Sequence, residues 1–234
     1  KVFVDGNNDF EVLKNLNTDS NKILQIGRPV NDVLINTYLS NAKKHKTEFY
    51  RSLIFNTKKK LIVLATNDQI TGQTKYEYIN SIIKEVTKRK DVEFVIKLHP
   101  TEEDQTYKRI LGELHLNLPI IRHYDIYKVI SAADLIISRN SAVEIESVLL
   151  NTPVINVDFL KSVDYYGLIC EEVCIPVFDP YDLPAAIDKC INSENYLSFF
   201  KEKRKEFIKK RFKYFDGHAC ERIINEIKNL IYNN

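Results

Sequence analysis

A chain of 234 residues, 44% hydrophobic and 28% charged, has enough apolar material for a sizeable core and the composition of an ordinary globular protein. Its formal net charge of +2, with basic residues spread along the whole length, excludes the concentrated positive footprint of a nucleic-acid-binding protein. No apolar run approaches the ~20 residues of a membrane-spanning helix, and no signal-peptide pattern opens the chain.

The chain begins at Lys1 and contains no methionine, which points to a portion excised from a longer protein. Lys1–Ser20 offers one strand-like piece, Val2–Val4, and one short helix-like piece, Phe10–Leu16. It is too small to be a domain and reads as the end of one. From Lys22 the pattern becomes strand, turn, helix, repeated. Ile23–Ile26, Leu61–Thr66, Val92–Leu98, Pro119–Ile121, Leu135–Ser138, Val154–Val157 and Val173–Phe178 are short, apolar and rich in β-branched residues. Such runs suit strands buried on both faces of a parallel sheet. Between them, Tyr76–Lys88 carries Tyr78, Ile79, Ile82, Ile83 and Val86 on one helical stripe. Asp125–Ala133, Ala142–Leu150 and Tyr181–Ile191 continue the alternation. The predicted fold class is α/β, a doubly wound parallel, Rossmann-like sheet of six or so strands. Glu194–Asn234 is helical and charged, and its basic stretch Lys201–Lys213 reads as a solvated helix face. The division expected is residues 1–21 as the remnant of a preceding domain with its linker, and 22–234 as a ligand-binding domain with a helical tail.

Cys170, Cys174, Cys190 and Cys220 form no CxxC pair and have no histidine at metal-ligand spacing, so they read as reduced thiols of a cytoplasmic protein, with no metal site.

In a parallel sheet, ligands sit beyond the carboxyl ends of the strands, where helix N-termini present free N–H groups. Four such ends are unusually polar: Thr66-Asn67-Asp68, Lys97-Leu98-His99-Pro100, Ser138-Arg139-Asn140-Ser141 and Asp158. Asn140, Ser141 and Ala142, at the start of a helix, make a seat for a diphosphate that the helix dipole favours. Glu144 and Glu146 lie roughly 200° apart around that helix, so one alone can face the seat. Glu144, three residues after Ser141, is assigned to a capping box, and Glu146 to the ribose hydroxyls of a ligand. His99 follows a buried strand and precedes Pro100, which holds it at the sheet edge as a general acid or base or as a phosphate-binding cation. Position, not residue type, separates it from His45, His115, His123 and His218, which are read as structural.

Two flanking segments complete a pattern. Ile26-Gly27-Arg28-Pro29-Val30-Asn31-Asp32 resembles the linker entering the C-terminal domain of GT-B enzymes. Asp216-Gly217-His218-Ala219-Cys220-Glu221-Arg222-Ile223 resembles the closing segment of two groups of that superfamily. They are the non-hydrolysing UDP-N-acetylglucosamine 2-epimerases, and the glycerophosphotransferases and capsule glycosyltransferases of surface-polysaccharide synthesis. Lys97–Pro100 and Ser138–Pro153 fall between them in the same order. The resemblance implies the C-terminal half of a GT-B fold. It implies a nucleotide sugar held by Thr66, Asn67, Lys97, Ser138, Asn140, Ser141, Ala142 and Glu146, and His99 as the catalytic residue. The glutamate seven residues before Pro153 corresponds to the ribose-binding carboxylate of the epimerases. Where the epimerases have Ser-Gly-Gly followed by Gln-Glu-Glu, this chain has Asn140-Ser141-Ala142-Val143-Glu144-Ile145-Glu146. Their Thr-Glu-Arg-Pro-Glu stretch has no counterpart in Asp158–Gly167. Both departures favour a glycosyltransferase or related group transferase of cell-surface polysaccharide (capsule) biosynthesis, with an epimerase second and a non-catalytic nucleotide-sugar-binding protein third. The implied partners are the nucleotide sugar as donor, a glycan or lipid-linked acceptor and an N-terminal domain outside this chain. No cofactor is implied. The implied location is the cytoplasm, at the inner face of the membrane where such an acceptor would be met.

Overall fold

The computed structural model describes residues 1–232 apart from Ile54, Ile70, Val163 and Tyr165, and Gln73 by its backbone alone. Asn233 and Asn234, the last two residues of the expected ligand-binding domain, lie outside the described residues. In chain order the elements are β1 (Val2–Val4), α1 (Asn7–Asn15), β2 (Ile23–Gln25), α2 (Pro29–Val33), α3 (Ala42–Ser52), β3 (Lys60–Ala65) and α4 (Gly72–Thr87). There follow β4 (Val92–Lys97), α5 (Gln105–Glu113), β5 (Ile120–Ile121), α6 (Ile126–Ala132), β6 (Leu135–Ser138) and α7 (Ala142–Leu149). β7 (Val154–Val157), β8 (Ile175–Val177), α8 (Leu183–Asn192), α9 (Glu194–Arg211) and α10 (Ala219–Tyr232) complete the chain. Among the described residues no helix is long and apolar enough to cross a membrane.

Packing divides the chain into Lys1–Asn41 with Arg204–Asn234, and Ala42–Lys203. The sequence boundary at residue 21 lies within the first of these units. There β1 and β2 form a separate two-stranded parallel sheet, Val2 opposite Ile23 and Val4 opposite Gln25. Ile23–Ile26 was expected to join the large sheet; it pairs instead with β1. The reason is local: Asn17 (φ 59°) reverses the chain after α1, and Gly27 (φ 87°) with Pro29 ends the strand and starts α2. The two flanking motifs meet in this unit. The Asp32 carboxylate accepts the backbone N–H groups of Ala219 (2.9 Å) and Cys220 (2.8 Å) at the first turn of α10. Arg222 lies 3.9 Å from the Tyr214 ring centre, pairs with Asp216 and donates to the Ile26 carbonyl. Gly217 (φ 81°) packs where an added Cβ would come within 2.6 Å of the Asn36 amide. These motifs therefore hold each other.

The second unit is built on a six-stranded parallel sheet in the order β5-β4-β3-β6-β7-β8. Counted within the unit this is 3-2-1-4-5-6, the strand order of doubly wound folds, with its switch point between β3 and β6. Ile62 lies opposite Phe94 on one side and Leu135 on the other, and Ile155 opposite Ile137 and Ile175. The predicted strands of this sheet all form, and β3, β6 and β7 are buried over nearly their whole length. α4 packs with α5 and α8, while α3 packs with α6, which also meets α7. The predicted stripe of α4 is the buried one: Ile79, Ile82, Ile83 and Val86 are at most 2% exposed. Burial of each such side chain contributes about 1.5–3 kcal/mol. α3 and α5, which were not anticipated, seat His45, Phe49 and Tyr50, and Tyr107, Ile110 and Leu111, in the same way.

Candidate functional site

The carboxyl ends of β3 and β4 and the loop after β5 surround a cavity of about 400 Å³, which the first turn of α7 closes with Val143. Thr66, Lys97 and His99 line it together with Arg122, His123, Tyr124 and Asp125. A concave site with few, convergent polar groups at the carboxyl edge of a parallel sheet is where this architecture binds ligands.

The floor is held by one carboxylate that the sequence reading passed over. Glu102 is buried, 3% exposed, and accepts the hydroxyl of Thr66, the hydroxyl of Tyr107 (2.8 Å) and the ammonium of Lys75. It also accepts the backbone N–H of His99 at 3.1 Å. The charge is thus compensated on each side, as burial demands. The His99 imidazole itself is exposed, and its Nδ1 lies 2.6 Å from Thr101 Oγ1, which donates to Asp68 at 2.9 Å. Lys97 lies at the cavity wall, but its ammonium donates to the carbonyls of Leu98 (2.8 Å) and Arg122 (2.7 Å). Burial lowers its pKa below that of a free lysine, against the opposing pull of Glu102.

Ser138, Asn140, Ser141, Ala142 and Glu146 are not in that wall; they form the turn and helix beside it. Ser138 is fully buried, and its Oγ meets no hydrogen-bond partner among the described residues. Asn140 adopts a left-handed conformation (φ 44°), and its amide donates to Ser162 at 2.7 Å. Arg139, also buried, bonds Asp158 at 2.8 Å and Ser162 at 3.2 Å, which straps the turn to the segment after β7. Burial raises the Asp158 carboxyl, but Ser162 and Arg139 together outweigh it and hold the group below its ordinary value. Asn67 donates to the Arg139 carbonyl across the switch point between β3 and β6.

Ser141 caps α7, its hydroxyl accepting the N–H of Val143. Glu144 turns inward, 1% exposed, and Asn156 donates to it at 3.1 Å. Burial pushes its pKa up to about 8, opposed by Asn156 and by the backbone N–H groups of Ser141 and Asn140. Ser141 and Glu144 keep the spacing of a capping box, but among the described residues the Glu144 Oε1 meets no hydrogen-bond partner, and the inward carboxylate is held by Asn156 instead. Glu146 sits on the other side of the helix, half-buried, and accepts the Tyr127 hydroxyl at 3.2 Å. Ala142, at the first helical position, is exposed.

His123, read from sequence as structural, is exposed and lines the cavity. The signal for it was Arg122-His123-Tyr124-Asp125, a polar strand end like the other four. It was hidden because β5 is two residues long. Glu102 sits in Thr101-Glu102-Glu103-Asp104, a run that looks like a solvated loop. Among the described residues no three His, Cys, Asp or Glu side chains gather as a metal-ligand group.

The family model described as UDP-N-acetylglucosamine 2-epimerase matches residues 2–228. The teichoic acid glycerol-phosphate primase of Bacillus subtilis (strain 168) is 25% identical over 236 aligned positions, covering 93% of this chain and 54% of that protein. The chain thus spans about half the length of this curated relative. Among solved structures, the wall teichoic acid polymerase TagF superposes with a TM-score of 0.65 at 21% identity, covering 98% of this chain and 58% of that one. The UDP-GlcNAc 2-epimerase of Neisseria meningitidis, bound to UDP-GlcNAc, gives 0.69 at 16% identity, covering 97% and 60%. At these identities the superpositions speak for the fold alone, over 58% and 60% of those two chains.

Proposed function

This chain belongs to the UDP-N-acetylglucosamine 2-epimerase family, and on that premise we propose that it is the nucleotide-binding half of a group transferase of cell-surface polymer synthesis. The observation that carries the reading is the joining of an exposed helix N-terminus, Ser141–Val143, to a cavity lined by His99, Arg122 and His123. Such a site would receive the diphosphate of an activated donor, with the positive end of the α7 dipole and the Arg122 guanidinium meeting its charge. In transfer, negative charge grows on the departing nucleotide, and the same groups stabilise it without having to reorganise. On this reading His99, which lines the cavity, neutralises that charge or exchanges a proton with the group being moved. On this reading Glu146, on the outer side of α7, accepts the ribose hydroxyls.

Within that class the finer reading is a glycosyltransferase or polyol-phosphate transferase. The primase likeness supports it, as does a turn built on Arg139, Asn140 and Ser141 and strapped by Asp158 and Ser162. The acceptor, a glycan or a lipid-linked chain at the membrane face, would be met by an N-terminal domain outside this chain. On this reading Lys1–Ser20 is the end of that domain. An epimerase is the second reading, favoured by the family match itself. Incubating the full-length protein with UDP-GlcNAc or CDP-glycerol, with and without a teichoic acid primer, separates the two. Product formed only with primer supports transfer; isomerised UDP-sugar formed without it overturns transfer in favour of epimerisation.

A further inference from the structure

One relay in the second unit runs across its surface. Thr101 and Asp68 are both exposed, and a hydrogen bond between exposed side chains contributes little to stability. Yet the three polar groups of Asp68, Thr101 and His99 stand in line. The Thr101 hydroxyl has one proton, and at 2.9 Å from Asp68 Oδ2 that proton is committed to the carboxylate. Its oxygen is then left as an acceptor, 2.6 Å from His99 Nδ1. A contact that short toward an acceptor requires a proton on Nδ1. The competing contact, from the Thr101 backbone N–H to the same nitrogen, is longer at 3.3 Å. No hydrogen bond from the described residues reaches Nε2.

We propose that Asp68, acting through the Thr101 hydroxyl, fixes the neutral imidazole of His99 in the Nδ1–H tautomer and so presents a bare Nε2 to the cavity. The proposal rests on the reading of His99 as a residue of the nucleotide site. It makes Asp68 and Thr101 positioning residues. A hydrogen bond at one imidazole nitrogen sets which nitrogen is free for chemistry, and a carboxylate at the far end stabilises the cation when the free nitrogen takes up a proton. Here a hydroxyl is interposed between the two. The donor loop after β3 and the histidine loop after β4 are coupled by it, so a change in one strand end is felt at the other.

The test is the tautomer itself, read from the imidazole nitrogen resonances of the ¹⁵N-labelled chain above the histidine titration, with His99→Gln identifying the signals. The expected result is a protonated Nδ1 in the unaltered chain and in Thr101→Ser, which keeps the hydroxyl. In Asp68→Ala the hydroxyl is freed to turn its own proton to Nδ1, and in Thr101→Val only the backbone N–H remains. Both should carry the proton on Nε2, with the two nitrogen shifts exchanged and the backbone amide spectrum otherwise preserved. A proton on Nε2 in the unaltered chain, or an unchanged tautomer in Asp68→Ala, overturns the relay. Adding UDP or CDP to the same samples tests the premise separately. His99 signals that move on saturation support its place in the site. Signals that stay put while the variants behave as expected remove His99 from the site and leave the tautomer assignment standing.

Discussion

The carboxylate of Glu102 accepts the backbone N–H of His99 at 3.1 Å, so the residue that turns the chain after β4 is anchored by a buried charge rather than by the strand. The same carboxylate reaches back to Thr66 at the end of β3, which ties two strand ends of the cavity to one group. Glu102→Ala would leave the Lys75 ammonium, only 15% exposed, without its partner. The expected loss is about 3–5 kcal/mol in denaturant unfolding, the range for breaking one half of a buried pair. Lys75→Ala combined with Glu102→Ala should recover part of it. A loss under about 1 kcal/mol for Glu102→Ala alone would mean that the network contributes no more than a surface pair.

Glu144 predicts a dependence of stability on pH. Its folded pKa of about 8 lies above the ordinary carboxyl value of 4.5, because burial favours the neutral form. The stability this group contributes is therefore complete below about pH 4.5 and is lost as pH rises toward 8. Glutamine mimics the neutral acid. Glu144→Gln should match the unaltered chain near pH 5 and exceed it at pH 8, by on the order of a few kcal/mol at ~1.4 kcal/mol per pH unit. Urea melts at the two pH values check it; parallel behaviour of the two proteins would contradict the assignment.

Glu146, two residues on, should behave in the opposite manner. Glu146→Ala removes a carboxylate that accepts the Tyr127 hydroxyl from a half-buried position open to water, so the thermal midpoint should move little. Affinity for UDP or CDP should fall by about 1–3 kcal/mol, the cost of losing hydrogen bonds to a charged group. Calorimetry on Glu146→Ala beside Glu144→Gln checks the division of labour. If the Glu144 variant alone loses affinity, the two roles are reversed.

Asn140 offers a backbone test. At φ 44° a β-branched side chain is strained, whereas glycine is not. Asn140→Val should cost roughly 1–2 kcal/mol more than Asn140→Gly from the conformational strain alone. Equal melting temperatures for the two variants would show that the left-handed turn is not retained.

These outcomes bear on what the sequence could convey. Strands such as Leu61–Ala65 and Leu135–Ser138 were legible because they are apolar on both faces, and α4 because its isoleucines keep helical spacing. The opposite fates of Glu144 and Glu146 were legible from the angle between them. The partner of Ile23–Gln25 was not, since an apolar strand carries no mark of which strand it will meet. Nor was the role of Glu102, because a buried glutamate and a solvated one look alike until Thr66, Tyr107 and Lys75 are brought around it from three other elements. α5 was missed although Tyr107, Ile110 and Leu111 keep helical spacing; its short stripe is surrounded by charged residues.

Ala142→Asp tests whether the first turn of α7 receives a diphosphate. Ala142 is exposed at the first helical position, where a carboxylate is favourable to the helix dipole, by about 0.3–1 kcal/mol. The same carboxylate would occupy and repel the anion seat. Titrating the unaltered chain and Ala142→Asp with UDP and with CDP, at one salt concentration, sets these two effects against each other. The expected result is a variant at least as stable as the parent that has lost tenfold or more in nucleotide affinity. A variant that binds UDP or CDP as well as the parent does would contradict it, and would place the nucleotide away from α7.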